Sequence, residues 1–476
     1  MESSGERQPH PSPVVSNLRT PEETTLNVRR LTPVARFLRD NLTPAAWQPV
    51  ADPRKARGQR YSWVGLLNLL MLGLCTARVA LRDVERLGRQ MSVRRYFGLT
   101  GTPSDSSLDR VIRLLKPGAV QEVLRAQVLR FHRSKRMEVD PSIGVSIVAI
   151  DGKGIGADRV QKHPQSTSMR PRPRRRGAKS DLSTRSKSSK KEDKKKWTTP
   201  DISAGPDGTI YLVKVLRAVH VASAVKPALD QFIIPAGRGE APMLTAFIWN
   251  LLRAYGRTIV ECVSLDAGFA TQNVLYWLVM WRVHFILAIK GNAGNLCGQL
   301  RHRMGGEGEE PPPGGWQLET EEKRNGSVLR RRFARLIERG DLWSGHHQQV
   351  WRIRQTTERA GRPTAVDDRI YITSLPEGRI SIPQCVAAIR AHWGVENDCN
   401  WTLDVPWLED SHAWVRIGEA REILGLLRLI AYNFVRVLRH RVLRGPKKGH
   451  IPYRDILERI RDALVMPGVL ATSGDT

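Results

Sequence analysis

Three carboxylates stand where a folded chain ordinarily keeps hydrocarbon. Asp151 closes the apolar run Ile143 to Ile150, and Asp266 closes Thr258 to Leu265. Glu396 follows Ile389 by seven residues and Trp393 by three, so a helix would put it on their face. An apolar face is costly surroundings for an unpaired carboxylate. Two such charges about 4 Å apart repel by roughly 4 kcal/mol at an effective dielectric of about 20. Convergence of all three is therefore tolerable only with protonation or with a divalent cation. The chemistry such a trio can do is that of Mg²⁺ or Mn²⁺, which take hard oxygen donors, keep waters and accept substrate phosphate as a further ligand. Two ions about 3.5–4 Å apart can activate an attacking water or hydroxyl and stabilise the leaving oxygen of a phosphodiester. Taken singly, each acid is equally compatible with capping a strand end or with a salt bridge, and spacing alone does not bring the three together.

Other groups sit beside these acids in the sequence. Lys153 and Lys290 are candidates to meet DNA phosphates, or are simply solvated. His392 and Trp393, one turn before Glu396, either orient it or fill the core, and His392 is also a candidate DNA contact. Asp404, Glu409 and Asp410 are candidates for outer or metal contacts, with surface salt bridging as the alternative. His346-His347 has no partner at zinc-like spacing, so no metal is assigned there. Gly152, Gly154 and Ala157 fit the G-x-G-x-x-A dinucleotide fingerprint, which needs an apolar crossover helix next. Hydrophobic residues instead nearly vanish from 161 to 181, and the fingerprint is set aside.

What replaces that helix is a charge run. Residues 159–196 hold fifteen Lys and Arg, Arg174, Arg175 and Arg176 among them, against three acids, a local charge of +12. Such a segment cannot bury a core. As a functional element it would bind phosphates without reading sequence.

The elements that must position the acids are legible in outline. From about 30 to 135 the apolar spacing is helical, with Leu66, Leu67, Leu70 and Leu74 on one pattern and Val111, Leu114 and Leu115 on another. At 143 the period changes to a short β-branched run, and strand-like runs resume at Ile210 to Val221. Residues 241–255 form an amphipathic helix on Met243, Leu244, Phe247, Ile248, Leu251, Leu252 and Tyr255, closed by Gly256. The strand ending at Asp266, a helix on Val274, Leu275 and Leu278, and the strand Phe285 to Ile289 follow. This β–α–β succession implies an α/β fold, a sheet covered by helices. Arg-dense strands are expected over Leu318 to Ile337 and Gln349 to Thr373. Helices then restart after Ser381 and Pro383 and again from Glu419 to Arg444.

Composition narrows the partners. The 476 residues carry 76 Lys+Arg against 47 Asp+Glu, a formal charge of +29, with 41% hydrophobic residues. There is enough apolar material for large cores, and a charge this far from zero favours a polyanion, nucleic acid above all. Five cysteines without a C-x-x-C pair give neither a disulfide framework nor a zinc knuckle, and a reduced compartment fits. The longest apolar run, Trp63 to Ala77, is shorter than the roughly 20 residues a bilayer needs, so no membrane partner is expected.

The same residues carry a resemblance. Residues 148–156 (VAIDGKGIG), 264–270 (SLDAGFA), 285–296 (FILAIKGNAGNL), 371–376 (YITSLP) and 389–416 (IRAHWGVENDCNWTLDVPWLEDSHAWVR) occur in order. They resemble blocks of bacterial insertion-sequence transposases of the DDE type, in the group that includes the H-repeat-associated transposase-like proteins. Residues 54–87 and 97–115 resemble the N-terminal helical segments of that family. The most specific block is the succession H-W-x-x-E-N, W-x-L-D-V, E-D at 392–410. The chain departs from the wider superfamily at Ile389, His392 and Leu403, which stand where a Tyr, an Arg and a Lys are usual, and the basic stretch resembles an insertion.

The resemblance implies an RNase H-like mixed-sheet core in which Asp151, Asp266 and Glu396 bind catalytic Mg²⁺ or Mn²⁺. It implies cleavage at transposon ends, strand transfer to target double-stranded DNA, a homodimer in the synaptic complex, and a bacterial cytoplasmic setting at the nucleoid. The organisation expected is a disordered N-terminus over 1–29 and a helical domain over 30–138. The core runs over 139–303 with the basic loop 159–198, a β-rich insert spans 304–374, the core is completed over 375–445, and a tail covers 446–476. The N-terminal helices and the Arg-rich insert are candidates for reading the element's ends. Two other readings stay open at this point: a nuclease of the same fold without strand transfer, and a non-catalytic or domesticated DNA-binding relative.

Overall fold

The computed structural model describes residues 21–158, 166–169, 210–235, 238–306, 311–324, 326–338, 345–410, 412, 414–415, 419–443 and 451–465. Six helices come first: α1 (Pro21–Asn41), α2 (Trp63–Cys75), α3 (Leu81–Gly88), α4 (Met91–Tyr96), α5 (Asp105–Leu114) and α6 (Pro117–Arg133). Helix α2 is apolar on all sides and is buried along nearly its whole length. Its one polar interior residue, Asn68, accepts from Trp47 Nε1 (2.6 Å) and donates to Leu42 O (3.1 Å). Gly73 lets α3 approach, because a Cβ there would lie 2.6 Å from Val84 Cγ2.

The sheet begins with β1 (Ile147–Asp158), followed by β2 (Ser166–Met169), β3 (Ile210–His220) and β4 (Ala228–Ile233). Strands β1, β3 and β4 are antiparallel neighbours. Helix α7 (Glu240–Ile259) crosses to β5 (Cys262–Leu265), which runs parallel to β1, and α8 (Gln272–Met280) crosses to β6 (His284–Ile289), parallel to β5. Three antiparallel strands with two parallel ones on the other side of the first is the RNase H-like arrangement. Helix α9 (Asn295–Arg303) leads into the meander β7 (Leu318–Arg324), β8 (Ser327–Ile337), β9 (Gln349–Arg359) and β10 (Arg362–Thr373). The insert extends the core sheet, with β10 hydrogen-bonded antiparallel to β6, in one ten-stranded sheet.

Helices α10 (Ile382–Ala391), α11 (Trp401–Asp404), α12 (Ala420–Val437) and α13 (Tyr453–Val465) complete the chain. Gln384 Oε1 accepts from Ser381 N (2.8 Å) and Ser381 Oγ (3.0 Å) at the start of α10. Helix α12 is buried from end to end between the N-terminal helices and the sheet. Asn433 fixes its register by accepting from Ala228 N (2.8 Å) and donating to Ala228 O (2.9 Å).

Several expectations are corrected. Asp151 does not end its strand: β1 continues to Asp158 because β3 pairs along it, with Asp151 opposite Arg217. Residues 258–259 belong to α7, and β5 starts only at Cys262; Gly256 does take a positive φ of 67°, inside the helix span. Residues 21–29 are part of α1. The stretch 446–476 contains α13, whose Ile456, Ile460, Ala463 and Leu464 recur at helical spacing and are buried. Of the basic stretch, only 166–169 lies within the described residues; Arg174, Arg175 and Arg176 lie outside them. The five cysteines are buried and unpaired, and no helix among the described residues is long and apolar enough to cross a membrane.

Candidate metal centre

Strand register brings the two aspartates together. Ile150 of β1 pairs with Leu265 of the parallel strand β5, so Asp151 and Asp266 are the next residues on adjacent strands. Alternation turns both away from the Ile150–Leu265 side. Glu396 arrives from a π-helical turn, Val395–Asn400, that follows α10. One carboxylate oxygen from each of the three lies within 4.8 Å of the other two. The helix-face argument for Glu396 holds only in part. Ile389 is buried, but Trp393 is 37% exposed with Arg369 4.9 Å over its ring, because α10 ends at Ala391 and the π turn resets the register.

The electrostatics match the expected conflict. Burial, then Glu396, then Asp266 push the Asp151 carboxyl up to about 6. Asp266 stays open, with its side chain 47% exposed. His392 lies 3.6 Å from Asp266 through Nε2 and 3.0 Å from the Ser264 hydroxyl through Nδ1. It is buried and faces Asp266.

A second set of side chains surrounds the first. Arg217, fully buried opposite Asp151, donates to Asn400 Oδ1 (2.8 Å), and Asn400 Nδ2 donates to Asp151 Oδ2 (3.2 Å). Arg217 also pairs with Glu409 (3.1 Å). Lys153, two residues beyond Asp151 on β1, bonds Glu409 (3.0 Å) and Asp404 and lies 3.8 Å from Asp410. Burial opposes the Glu409 charge, yet Arg217 and Lys153 outweigh it and hold the carboxyl at about 2. The Asp404, Glu409 and Asp410 oxygens also lie within 4.8 Å of one another, but the Lys153 ammonium already serves them as cation. Lys153, expected to meet a phosphate, is buried and bonded to carboxylates. Of these acids Glu409 is fully buried, so its ion pairs are not surface salt bridges, whereas Asp404 and Asp410 are only partly buried.

Lys290 is exposed at the end of β6. Its turn is tied to the Asp266 turn by Asn292 Nδ2 donating to Ala267 O (2.6 Å). In the insert, Arg330, Arg331 and Arg332 pair with Glu321, Glu322 and Glu319, and Arg352 and Arg354 share Asp368, so much of its positive charge is neutralised internally. Sequence reasoning missed Arg217 and Asn400. The signal for Arg217 was present, a charge inside the apolar run Val213 to Val219, the same anomaly that singled out Asp151.

The donor set fits a hard divalent cation. Three oxygen-only ligands converge, and one of them is pushed up for want of compensating charge.

An RNase H-like sheet with an acidic trio at its centre defines the class, a fold on which nucleic-acid phosphodiester chemistry is built. The family model described as "Transposase DDE domain" matches residues 144–434, and the chain belongs to that family, as the motif blocks implied. The protein YbfL of Escherichia coli (strain K12) is 21% identical over 398 residues, covering 81% of this chain and 88% of its own length. A cryo-EM structure of a piggyBac transposase synaptic complex with hairpin DNA aligns at a TM-score of 0.39 and 11% identity, over 95% of this chain and 82% of that one.

Proposed function

We propose that the chain is a DNA transposase that cleaves strands at the ends of a mobile element and joins the freed 3′ ends to target double-stranded DNA, with Asp151, Asp266 and Glu396 as the catalytic carboxylates. The observation that carries this reading is the convergence of one oxygen from each acid within 4.8 Å, in a chain of the transposase DDE family.

The three carboxylates would hold Mg²⁺ or Mn²⁺, which would supply Lewis acidity toward the attacking and leaving oxygens of a phosphodiester. Asp151 gives up the proton that burial and its two acidic neighbours help it keep, so cation affinity rises as the pH passes about 6. The Asn400 amide holds one Asp151 oxygen, and Arg217 holds Asn400, which leaves the other oxygen for the ion. His392 steadies Asp266 from the Ser264 side. Half-exposed Asp266 and exposed Lys290 form the open side, where a DNA phosphate can approach and be met by the Lys290 ammonium. The N-terminal helices of the 30–138 unit and the Arg-rich 304–374 insert serve end recognition. Two copies of the chain bring two ends together.

The test is a cleavage assay on DNA spanning the element's end, with Mg²⁺, comparing wild type and Asp151→Asn. Cleavage by the wild type alone is expected, and equal cutting by both refutes the assignment. A pre-cleaved end offered with a target plasmid then separates the alternatives: joined products mark a transposase, and cutting without joining marks a nuclease. Duplex binding indifferent to EDTA, with no cutting at all, marks a binding protein.

A further inference from the structure

An oxygen kept free for an ion cannot also be held by a hydrogen bond, so the backbone of the Val395–Asn400 turn decides where the Glu396 carboxylate lies. Turns of π-helical pitch are rare and gather at functional sites. Side chains hold this one in two places. Asn400 ties its far end to Asp151 and Arg217. The other hold is two residues beyond Glu396, where Asp398 accepts from Lys226 Nζ (2.6 Å) and from Arg436 Nη1 (3.1 Å).

The lysine reaches Asp398 from a strained position. Lys226 lies between β3 and β4 with a positive φ of 47°, a conformation that Gly or Asn adopts more readily. Strained residues persist where their surroundings over-determine them, and they cluster at functional sites. Here Lys226 N donates to Ser223 Oγ (3.3 Å), and the Tyr432 hydroxyl donates to Lys226 O (3.1 Å). Buried Arg436 of α12 already anchors the same connection, donating to Val225 O (2.7 Å) and Ala224 O (2.9 Å). The lysine side chain is not needed for that anchorage. What it adds is a crossing over the Glu396 turn. A Cβ on Gly394 would lie 3.2 Å from Lys226 Cδ, so the bare glycine lets the stem pass close to the backbone. The stem thus lies on Gly394, two residues before Glu396, and the ammonium lies on Asp398, two residues after it.

We infer that Lys226, with Arg436 behind it, is a positioning residue for Glu396. The two cations hold Asp398, and through it the turn, at the pitch that brings the Glu396 carboxylate up to the two aspartates. Without the ammonium the turn is free to relax towards ordinary α-helical pitch, which moves the Glu396 oxygen away from the other two. Lys226 acts through Asp398 and touches neither ion nor phosphodiester. The inference rests on the proposed role of Glu396 as a metal ligand and deepens it by naming what keeps that ligand in place.

The experiment titrates the full chain with Mn²⁺, following the free ion by electron paramagnetic resonance, with melting in EDTA measured alongside. Lys226→Met keeps the stem over Gly394, removes the ammonium and leaves Asp398 its bond to Arg436. It should melt with wild type and bind Mn²⁺ about ten-fold more weakly, the lower end of what losing a ligand's outer partner costs. Lys226→Arg, which keeps the charge, should retain most of the affinity. Asp398→Asn loosens the same grip from the other side and should weaken Mn²⁺ by a similar factor. That change puts buried Arg436 at risk, and Lys226, with its side chain 28% exposed, carries the test if Asp398→Asn unfolds. Glu396→Gln tells the two readings apart. If it loses Mn²⁺ while Lys226→Met binds like wild type, the positioning role is overturned and the metal centre stands. If Glu396→Gln itself binds like wild type, the trio is not the ion's site and both fall. A lowered melting temperature for Lys226→Met with unchanged Mn²⁺ affinity would make the lysine a staple of the fold alone, which also overturns the inference.

Discussion

Replacing Asp151 by Asn should stabilise the metal-free protein, and by an amount that depends on pH. Asp151 titrates at about 6 in the folded chain, against roughly 4 for an unfolded aspartate. The native state therefore keeps a proton that the unfolded chain has already released. Below pH of about 4 both states are protonated and the group costs nothing. Between about 4 and 6 stability falls as pH rises, and above about 6 the whole burden is present. Two pKa units at about 1.4 kcal/mol each make that burden on the order of 3 kcal/mol. Asp151→Asn removes the charge, and its side-chain oxygen can still accept from Asn400. Melting curves in EDTA at pH 4.5, 5.5, 6.5 and 7.5 should show the variant near wild type at the acid end and several degrees above it at pH 7.5. Adding Mn²⁺ should close most of that gap, since an ion at 100 times its Kd stabilises only the chain that binds it, by about 2.7 kcal/mol. A variant less stable than wild type at pH 7.5, or a gap that does not change with pH, refutes the claim that burial and the neighbouring acids oppose the Asp151 charge.

Asn400→Ala should weaken Mn²⁺ binding by about ten- to a hundred-fold, as loss of a ligand's outer partner does. Electron paramagnetic resonance titration of the free ion measures this, and unchanged affinity would remove Asn400 from the site. Glu409→Ala leaves Arg217 and Lys153 buried without their common partner and should cost about 3–5 kcal/mol in urea denaturation; a loss below about 1 kcal/mol would mean the cluster relaxes into solvent. With Glu409 held at about 2 in the folded chain, its stabilising contribution is complete above its unfolded pKa of about 4.3 and fades as pH drops towards 2. Acid melts of wild type should be steep through that window, and those of Glu409→Gln should be flatter. Gly73→Ala drives a methyl group to within 2.6 Å of Val84 Cγ2 and should cost about 1–3 kcal/mol through overpacking of α2 on α3, measured by thermal melting.

What the sequence made legible was whatever is local. Apolar runs interrupted by single acids marked β1, β5 and two of the three carboxylates, because strand burial and charge conflict within a few residues. Ser381 and Pro383 marked the start of α10, because cap and first-turn preferences also act within a few residues. What stayed hidden depends on pairing across long stretches of chain. Arg217 finds Asn400 and Glu409 only after β3 docks on β1 and the segment beyond α10 folds over both. No spacing rule reports that. The helical-face argument for Glu396 erred at Trp393 because it assumed an unbroken 3.6-residue period, and the Val395–Asn400 turn does not keep it. Strand β4 is only six residues long, and its boundaries are set by its partner β3 more than by its own pattern. The C-terminal helix was readable in Ile456, Ile460 and Leu464, but a polar stretch beside it masked the rhythm.

The uninterrupted ladder from β2 through to β7 makes the outer hairpin and the floor beneath the acids one plank. A load taken up at the rim, four strands away from β6, is handed inward through backbone bonds rather than across a hinge. Whatever leans on that rim is thereby held at a fixed distance from the acidic trio, and the protein carries its own ruler.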